Sequence, residues 1–566
     1  MRNVLYVPLD DRPVNLDDVV MLGRSAGINV LTPHRRDIRN RLDTKADAND
    51  SIMLSTSSPV YGCTVNIRQF ILDHASRVDG FVISTDMLAY GGLIGSRRLR
   101  GSGGGSYPEY DEQTTWLLDV IRLVKEAYPG KPVFVLDTIM RLATTTYVEG
   151  LDYEAYRESR ALMQQPRRPF SRFEDILEGY DLSPGSSYGE TQHFDKEQYY
   201  NARRHKFKTN RYVLEKLAKS GYIDFLAVGV DDSSTQGVQA NEISYLEAGI
   251  NEWLGGAGGQ NPDRAIILPD ADGLGHALMA RMASKLYRCG DKPRYAVVYY
   301  GVDGAEIINP YEYMNAHENI RRHVEIVGGE LVTEAHDVEI IAVTNADQSA
   351  NAVMRMETNG VNRVPTIVID FAAKGPSNKE VTDALLDSHF TGRLLGYSGW
   401  NTAGNKIGIA VGMGEARHAF LTAERNPAIL QKAVQAHGSL LFKRFLKDYY
   451  YKAVAISEIR AYSRSHSRYE NTDAIADQNM ELFNSEEDYS TLQELLRDLM
   501  QRYTEVLAGR NAFSIGTKNA SCNIRHISSS GWSYAQYVKA VLPRNNPDFT
   551  WGRAFEITLS PEVKLH

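Results

Sequence analysis

Acidic residues follow several short apolar runs in this chain, and the densest example is Asp231-Asp232, directly after Phe225–Val230. Short continuous apolar runs are typical of buried β-strands. In parallel α/β proteins, functional groups cluster just past the carboxyl ends of such strands. We therefore predict that several carboxylates line one pocket, an arrangement typical of an enzyme.

The Asp231-Asp232 pair has residue types suited to acid–base catalysis. Because alternate residues of a strand share a face, Asp231 follows the small Ala227 and Gly229, which leave room for a ligand. Two carboxylates this close cannot both ionise freely, so the pKa of one rises and that group can stay a proton donor near neutral pH. A positioned general acid contributes about 10² to 10⁴ in rate. The alternative interpretation is that one aspartate only caps the next turn.

An adjacent acid pair at a strand end resembles that of the retaining hexosaminidases that use substrate-assisted catalysis. In those enzymes the 2-acetamido oxygen of the sugar attacks its own anomeric carbon. One carboxylate holds the acetamide N–H, and the second protonates the leaving oxygen and then activates water. The resemblance implies that Asp231 orients the acetamide and that Asp232 is the general acid/base. Asp-Asp is similar to the O-GlcNAcase and hyaluronidase-type group, whereas related acetylgalactosaminidases more often carry Asp-Glu.

A second polar loop, Pro8-Leu-Asp-Asp-Arg-Pro-Val-Asn15, follows the first predicted strand. Asp10 and Arg12 in this loop are candidates for substrate binding, and a salt-bridged scaffold is the equal alternative. This loop and the string DMLAYGGLIGSR resemble the bacterial family catalogued as a domain of unknown function, DUF4127. The strings LDTIMR and GYSGWNTAGN extend the resemblance across most of the chain. Membership implies little about activity, and we expect kinship with acetylhexosaminidases or acetylgalactosaminidases.

The same strings supply further candidates for substrate binding. Asp86 and Tyr90 lie in the glycine-rich string, and Asp137 and Arg141 lie in LDTIMR. We interpret Asp137 and Arg141 as ligands for sugar hydroxyls, and an internal ion pair is the equal alternative.

The string GYSGWNTAGN contains an aromatic side chain next to an amide. The face of Trp400 could pack against the apolar face of a sugar ring, while Asn401 and Asp370 bond its hydroxyls. The alternative is that Trp400 is an ordinary core aromatic. Asp270 and Asp272 could line the same pocket, bind a cation or cap the next helix, and we favour the cap.

Composition excludes several classes of function. The 566 residues are 43% hydrophobic and carry a net charge of −8, without the basic excess of nucleic-acid-binding proteins. No apolar stretch approaches the roughly 18 residues that a membrane span requires, and the first residues predict a strand rather than a signal segment. Cys63, Cys289 and Cys522 suggest neither a disulfide framework nor a zinc site. We expect a cytoplasmic protein without nucleic-acid or membrane partners, and a homodimer through the helical tail is left open.

We expect neither a cofactor nor a bound metal. No His-Glu-x-x-His motif occurs, which argues against a zinc hydrolase. A site for Mg²⁺ or Ca²⁺ built from Asp10, Asp231 and Asp270 is an open alternative, and it would indicate a metal-dependent phosphoryl-transfer or hydrolytic enzyme. A non-catalytic carbohydrate-binding protein is a third interpretation. The interpretation that we favour is a retaining glycosidase for β-linked N-acetylhexosaminides, with N-acetylgalactosamine preferred over N-acetylglucosamine.

Ten apolar runs alternate with helical patterns and are the predicted strands: 4–9, 28–31, 80–85, 133–136, 225–230, 265–268, 295–300, 338–343, 366–369 and 394–397. This alternation predicts a parallel sheet covered by helices. We expect a TIM-like (β/α)8 barrel over residues 1–415, with the surplus strands at an edge or in an insertion, and an open doubly wound sheet is the alternative. Residues 151–215 are an insertion that forms either a lid or a solvated helix pair. Residues 416–566 are predicted to be a mainly helical domain that ends in a short strand.

Overall fold

The computed structural model describes residues 1–41, 59–101, 110–146, 148–288, 290–466 and 485–566. Cys289, one of the three cysteines considered above, lies outside these ranges. Cys63 and Cys522 are free thiols. No helix in the described ranges is long and apolar enough to cross a membrane.

The first sheet has seven strands in the order β2-β1-β3-β4-β5-β7-β6. Its strands are β1 Arg2–Val7, β2 Ile28–Leu31, β3 Gly80–Ser84, β4 Val133–Ile139, β5 Phe225–Val230, β6 Gln260–Asn261 and β7 Ala265–Leu268. All neighbours pair in parallel except the short β6, which runs antiparallel to β7. Strands β3, β4 and β5 are buried along their whole length, as the continuous apolar runs indicate for a parallel sheet covered on both faces.

The second sheet has five parallel strands in the order β12-β11-β10-β8-β9. Its strands are β8 Arg294–Tyr300, β9 Glu330–Leu331, β10 Val338–Val343, β11 Thr366–Asp370 and β12 Gly396–Ser398. Each of the ten predicted strands is therefore present, with its ends within three residues of the prediction, and the parallel α/β class is confirmed. Closure into one eight-stranded barrel stays a prediction, because the hydrogen-bonded pairs define one sheet of seven strands and one of five.

Helices connect most of the strands. In the described ranges they are α1 Asp17–Ser25, α2 Arg35–Ile38, α3 Thr64–His74, α4 Thr85–Tyr90, α5 Leu93–Ser96, α6 Glu112–Leu118, α7 Val120–Ala127, α8 Tyr153–Met163, α9 Phe173–Glu178, α10 Lys196–Tyr212, α11 Gln239–Leu254, α12 Leu274–Tyr287, α13 Ala316–Ile326, α14 Ser349–Asn362, α15 Lys379–Leu386, α16 Ala403–Ala423, α17 Pro427–Phe445, α18 Ile456–Ser465 and α19 Glu486–Gly509. The π-helical segments Val213–Ala218 and Leu446–Ala455 continue α10 and α17.

The insertion at residues 151–215 contains α8, α9 and α10. Helix α10 is not a solvated surface helix, because Arg203 and Lys206 on it are buried among groups of the first sheet. Tyr156 on α8 borders the pocket described below. The function of this insertion as a lid stays a prediction.

The C-terminal part contains helices, as expected, but more strands than the one that was predicted. Its strands are β13 Cys522–Ser528, β14 Gly531–Val541, β15 Asp548–Thr550, β16 Arg553–Thr558 and β17 Glu562–Leu565. Helix α16 runs without a break through the predicted domain boundary at residue 415 and packs closely on α12. Strand β16 is the predicted short strand, whereas β13, β14, β15 and β17 were missed because strands with few alternating apolar residues give a weak periodic signal.

Small residues allow α16 to approach the first sheet's loops. A Cβ added at Gly404, near the start of α16, would lie 1.9 Å from the carbonyl oxygen of Pro269 after β7. Since that oxygen belongs to the backbone, the helix itself would have to move.

We predict that Gly404→Ala lowers the free energy of unfolding by about 1–3 kcal/mol, the usual effect of overpacking. The matched control is Gly509→Ala at the end of α19, where an added Cβ meets nothing within 4 Å. Urea unfolding of both variants measures the difference. Equal stability of the two variants would contradict the close approach.

Candidate functional site

A pocket of about 270 Å³ lies where the loops after β1, β4, β5 and β7 meet the loop after β12. Its charged lining residues are the acids Asp10, Asp231, Asp232, Asp270, Asp272 and Glu312 and the arginines Arg12, Arg97, Arg141 and Arg553. Its aromatic lining residues are Tyr156, Tyr311, Trp551 and Phe555. Carboxyl ends of parallel strands thus deliver carboxylates to one place, as the sequence pattern predicts.

Asp231 and Asp232 both border this pocket. Asp231 directly follows the buried strand β5 and is only 5% exposed, with Oδ2 accepting a hydrogen bond from Arg97 Nη2. Burial raises the pKa of Asp231, and the cationic Arg97 opposes that rise in pKa. The small Gly229 below it is required, because a Cβ there would lie 2.3 Å from the carbonyl oxygen of Asp270.

Asp232 has a different environment from its neighbour. Its backbone is left-handed, with φ of 43°, and its carboxylate oxygen lies 3.4 Å from Arg141 Nη1. Positive φ is uncommon outside glycine and is most tolerated by Asn and Asp. This turn of the backbone lets two consecutive side chains, which would alternate along a strand, border the same pocket.

The loop after β1 forms one wall through interlocked ion pairs. Arg12 Nε donates to Asp10 Oδ2 at 2.9 Å, and Arg12 Nη1 donates to Asp272 Oδ2 at 3.2 Å. Asn15 Nδ2 donates to both carboxylates, at 2.8 Å and 3.0 Å. Burial raises the pKa of Asp272 to about 6, a shift that Arg12 opposes and Asp10 increases. Arg12 is therefore a salt-bridged part of the wall and not a free clamp.

Asp270 binds the turn before α12, whereas the role favoured for it from the sequence was a cap of that helix, whose N-terminus has no side-chain cap. Its Oδ1 accepts the backbone N–H groups of Ala271 and Gly273 at 2.7 Å and 2.9 Å, and its Oδ2 lies 3.1 Å from His323 Nε2. No group of three or more His, Cys, Asp or Glu side chains in the described part of the chain is arranged to hold a metal. Asp10, Asp231 and Asp270 each bind a protein donor instead.

The structure brings six of the predicted site residues to the pocket: Asp10, Arg12, Arg141, Asp231, Asp232 and Asn401. Two others, Asp86 and Asp137, lie in an internal ion cluster around Lys206, whose Nζ is 2.9 Å and 2.7 Å from their carboxylates. Tyr90 is buried beside this cluster, with its hydroxyl 3.0 Å from His205 Nδ1. These three residues do not line the pocket.

Asp370 and Trp400 also lie away from the pocket. Asp370 is buried and accepts the backbone N–H groups of Ala372 and Asn378 at 2.9 Å and 2.6 Å. Trp400 is 0% exposed and packs against Phe555, with ring centroids 6.1 Å apart. A sugar ring has no access to Trp400 in this arrangement, which corresponds to the core-aromatic alternative.

Glu312 is a pocket residue that the sequence reasoning missed. It is 4% exposed and accepts hydrogen bonds from the backbone N–H of Gly404 at 2.8 Å and from Asn319 Nδ2 at 3.0 Å. Among the described residues no cationic side chain forms an ion pair with it. Burial, together with the negative charges of Asp270 and Asp232, raises its pKa well above the ordinary value. Glu312 lies in an irregular segment between β8 and α13, where no strand pattern marks it.

Comparison with known proteins gives a family but no activity. Residues 4–560 match the sequence profile described as a protein of unknown function, DUF4127. The chain belongs to this family. No curated protein matches it.

One solved structure similar to this DUF4127 protein is a complex between a UDP-glucosyltransferase from Polygonum tinctorium, capable of glucosylating indoxyl, and 3,4-dichloroaniline. The similarity covers 78% of this chain and 98% of the glucosyltransferase chain, at 12% identity and a TM-score of 0.17. A TM-score this low supports no conclusion about fold or activity.

We predict that Glu312 makes the unfolding free energy depend on pH. Its folded-state pKa is raised, so the folded protein holds a proton that the unfolded chain loses above its own pKa of about 4.3. Stability from this group therefore falls with rising pH, by about 1.4 kcal/mol for each pH unit until the folded-state pKa is reached.

Glu312→Gln removes this titration, and the amide of Asn319 can rotate to accept from the new side chain because its oxygen has no partner. Urea unfolding at pH 5, 6 and 7 is expected to show the wild type losing stability relative to the variant. Parallel stability curves would contradict the raised pKa.

Proposed function

We propose that this DUF4127 protein is a retaining glycoside hydrolase that acts on β-linked N-acetylhexosaminides by substrate-assisted catalysis. N-Acetylgalactosamine is the favoured sugar and N-acetylglucosamine the second. The observation that carries this proposal is that the consecutive carboxylates of Asp231 and Asp232 border one pocket. Their different surroundings support two different tasks, since Asp231 is buried and bound by Arg97, whereas Asp232 is more exposed and lies 3.4 Å from Arg141.

Asp231 is suited to orienting the substrate. Its carboxylate is buried and is held by Arg97, so its position is fixed before a ligand arrives. In the proposed reaction it accepts a hydrogen bond from the acetamide N–H, which aims the acetamide oxygen at the anomeric carbon. Such preorganisation of the reacting atoms supplies a large part of enzymatic rate enhancement.

Asp232 is suited to proton transfer, because its side chain is more exposed than that of Asp231 and reaches the pocket from the turn after β5. The acetamide oxygen forms a bond to the anomeric carbon while the glycosidic bond breaks, and the leaving oxygen takes the proton of Asp232. Water then adds to the anomeric carbon and returns a proton to Asp232, opening the ring formed by the acetamide. Two displacements at one carbon give net retention.

The size and lining of the pocket support a small polar ligand. A volume of about 270 Å³ lies just under the range of about 300–1,000 Å³ usual for drug-sized ligands, so one sugar residue is a reasonable occupant. Asn401 and Arg141 supply donors for hydroxyl oxygens, and aromatic side chains supply an apolar surface. A metal-dependent mechanism finds less support, because the carboxylates that would bind the cation already bind arginines or backbone N–H groups.

We predict that Asp232→Asn lowers kcat on aryl β-N-acetylgalactosaminide by about 10² or more, since a general acid contributes 10² to 10⁴. The matched control is Asp263→Asn, which removes an exposed carboxylate paired with Lys292 at 3.2 Å. Turnover of aryl β-N-acetylgalactosaminide and β-N-acetylglucosaminide by the three proteins is the measurement.

Unchanged turnover in Asp232→Asn would eliminate the role proposed for Asp232. Loss of wild-type activity in EDTA, restored by Mg²⁺, would favour the metal-dependent alternative. Sugar binding without turnover of either substrate would favour a carbohydrate-binding protein.

A further inference from the structure

The tip of the β15–β16 hairpin has an unusual residue for its backbone geometry. Thr550 pairs with Arg553, so the turn consists of the two residues Trp551 and Gly552, with φ of 57° and 65°. Two-residue hairpin turns with positive φ at both positions favour Asn-Gly or Asp-Gly. Gly552 fits this turn, whereas a bulky side chain at positive φ is a genuine outlier that points to function.

Contacts with the N-terminal part of the chain hold the Trp551 ring. Its Nε1 donates to Asp11 Oδ1 at 3.0 Å, and the guanidinium carbon of Arg12 lies 5.5 Å from the ring centroid. The indole also packs against Ile94 and Val148. The ring is therefore held by groups that belong to the pocket or adjoin it.

Trp551 also borders the pocket that contains Asp231 and Asp232, where the guanidinium carbon of Arg553 lies 5.8 Å from the Trp551 ring centroid. The other tryptophans, Trp116, Trp253, Trp400 and Trp532, do not border it. The hairpin thus places one large, rigid, amphipathic ring beside the paired carboxylates, at a turn position where asparagine would fit better.

We propose that Trp551 is the surface against which the apolar face of the bound pyranose ring packs. This inference rests on the proposed function, and it gives Trp551 the role that the sequence suggested for Trp400. An indole face suits this task because it offers a large apolar area, while its N–H is satisfied by Asp11 and does not compete for the ligand. Arg12 and the aliphatic neighbours orient the ring, and so they are positioning residues.

The alternative is that Trp551 only anchors the hairpin. The substitution Trp551→Asn distinguishes these two roles. Asparagine tolerates the positive φ of this turn position, so the variant removes the indole ring without straining the backbone. For a ligand surface, the variant keeps a cooperative unfolding transition close to that of the wild type and binds the sugar at least tenfold more weakly, which is a loss of about 1.4 kcal/mol. The matched control is Trp116→Ala, which removes a half-exposed tryptophan that also stacks on an arginine, Arg68, at 4.2 Å and lies away from the pocket.

The experiment uses full-length protein labelled with 5-fluorotryptophan and followed by ¹⁹F NMR. Asp232→Asn is the background, so that no probe is consumed. Trp551→Phe assigns the Trp551 signal, and Trp116→Ala assigns the control signal. The probes are N-acetylgalactosamine, its thiazoline, N-acetylglucosamine, galactose and glucose. Hydrolysis of aryl glycosides by the wild type is measured separately.

A saturable shift of the Trp551 signal, with the Trp116 signal unmoved, is the expected result for the acetamido sugars. The same shift with galactose or glucose alone would support the Trp551 surface and overturn the acetamido specificity of the proposed function. Hydrolysis that continues in Trp551→Asn with unchanged KM, or a Trp551 signal that no sugar moves, would overturn the inference and leave the catalytic proposal to its own test.

Discussion

The interaction on which the rest of the pocket depends is the ion cluster around Arg12. Its guanidinium group binds Asp10 and Asp272 and lies 4.0 Å from Glu556, whose other oxygen accepts from Lys447 Nζ at 2.8 Å. The cluster joins the loop after β1, the loop after β7 and strand β16, which are far apart in sequence. Removing one partner from a buried pair costs about 3–5 kcal/mol, because the other charge is left uncompensated. The ion cluster around Arg12 thus stabilises both the pocket wall and the β15–β16 hairpin.

The carboxyl groups of the pocket differ in the donors that bind them. Asp231 has Arg97, Asp270 has backbone N–H groups and a histidine, and Glu312 has only neutral donors. Burial raises the pKa of both Asp231 and Glu312, and of these two only Asp231 has a nearby arginine that opposes the rise in pKa. Burial and the positive charge of the nearby Arg141 both lower the pKa of Arg97. A polar ligand therefore enters a pocket in which ion pairs and hydrogen bonds already hold the carboxylates in place.

The strands and their carboxyl-end residues could be predicted from sequence because buried parallel strands are continuous apolar runs. The pattern places Asp10, Asp231 and Asp232 at the correct edge. It does not separate Asp231 from Asp137, which follows a predicted strand but lies within β4 and pairs with Lys206 inside the fold. That distinction depends on the partner which α10 supplies from a distant part of the chain.

The pocket residues that sequence reasoning missed lie where no periodic pattern exists. Glu312 lies in an irregular stretch, and Trp551 occupies a two-residue turn in the part of the chain that was predicted to be mainly helical. Trp400 was the better candidate by its polar neighbours, yet burial removes it from any ligand. In a chain this long, the aromatic residues of the pocket are decided by tertiary packing, which local sequence does not encode.

The most direct test of the account is a crystal structure with the thiazoline of N-acetylgalactosamine, a stable analogue of the cyclic species that substrate-assisted catalysis would form. The account predicts that this sugar occupies the pocket, with its ring nitrogen within hydrogen-bonding distance of the Asp231 carboxylate and Asp232 beside the anomeric carbon. A ligand bound elsewhere, or one in this pocket whose acetamido-derived ring points away from both aspartates, would contradict it.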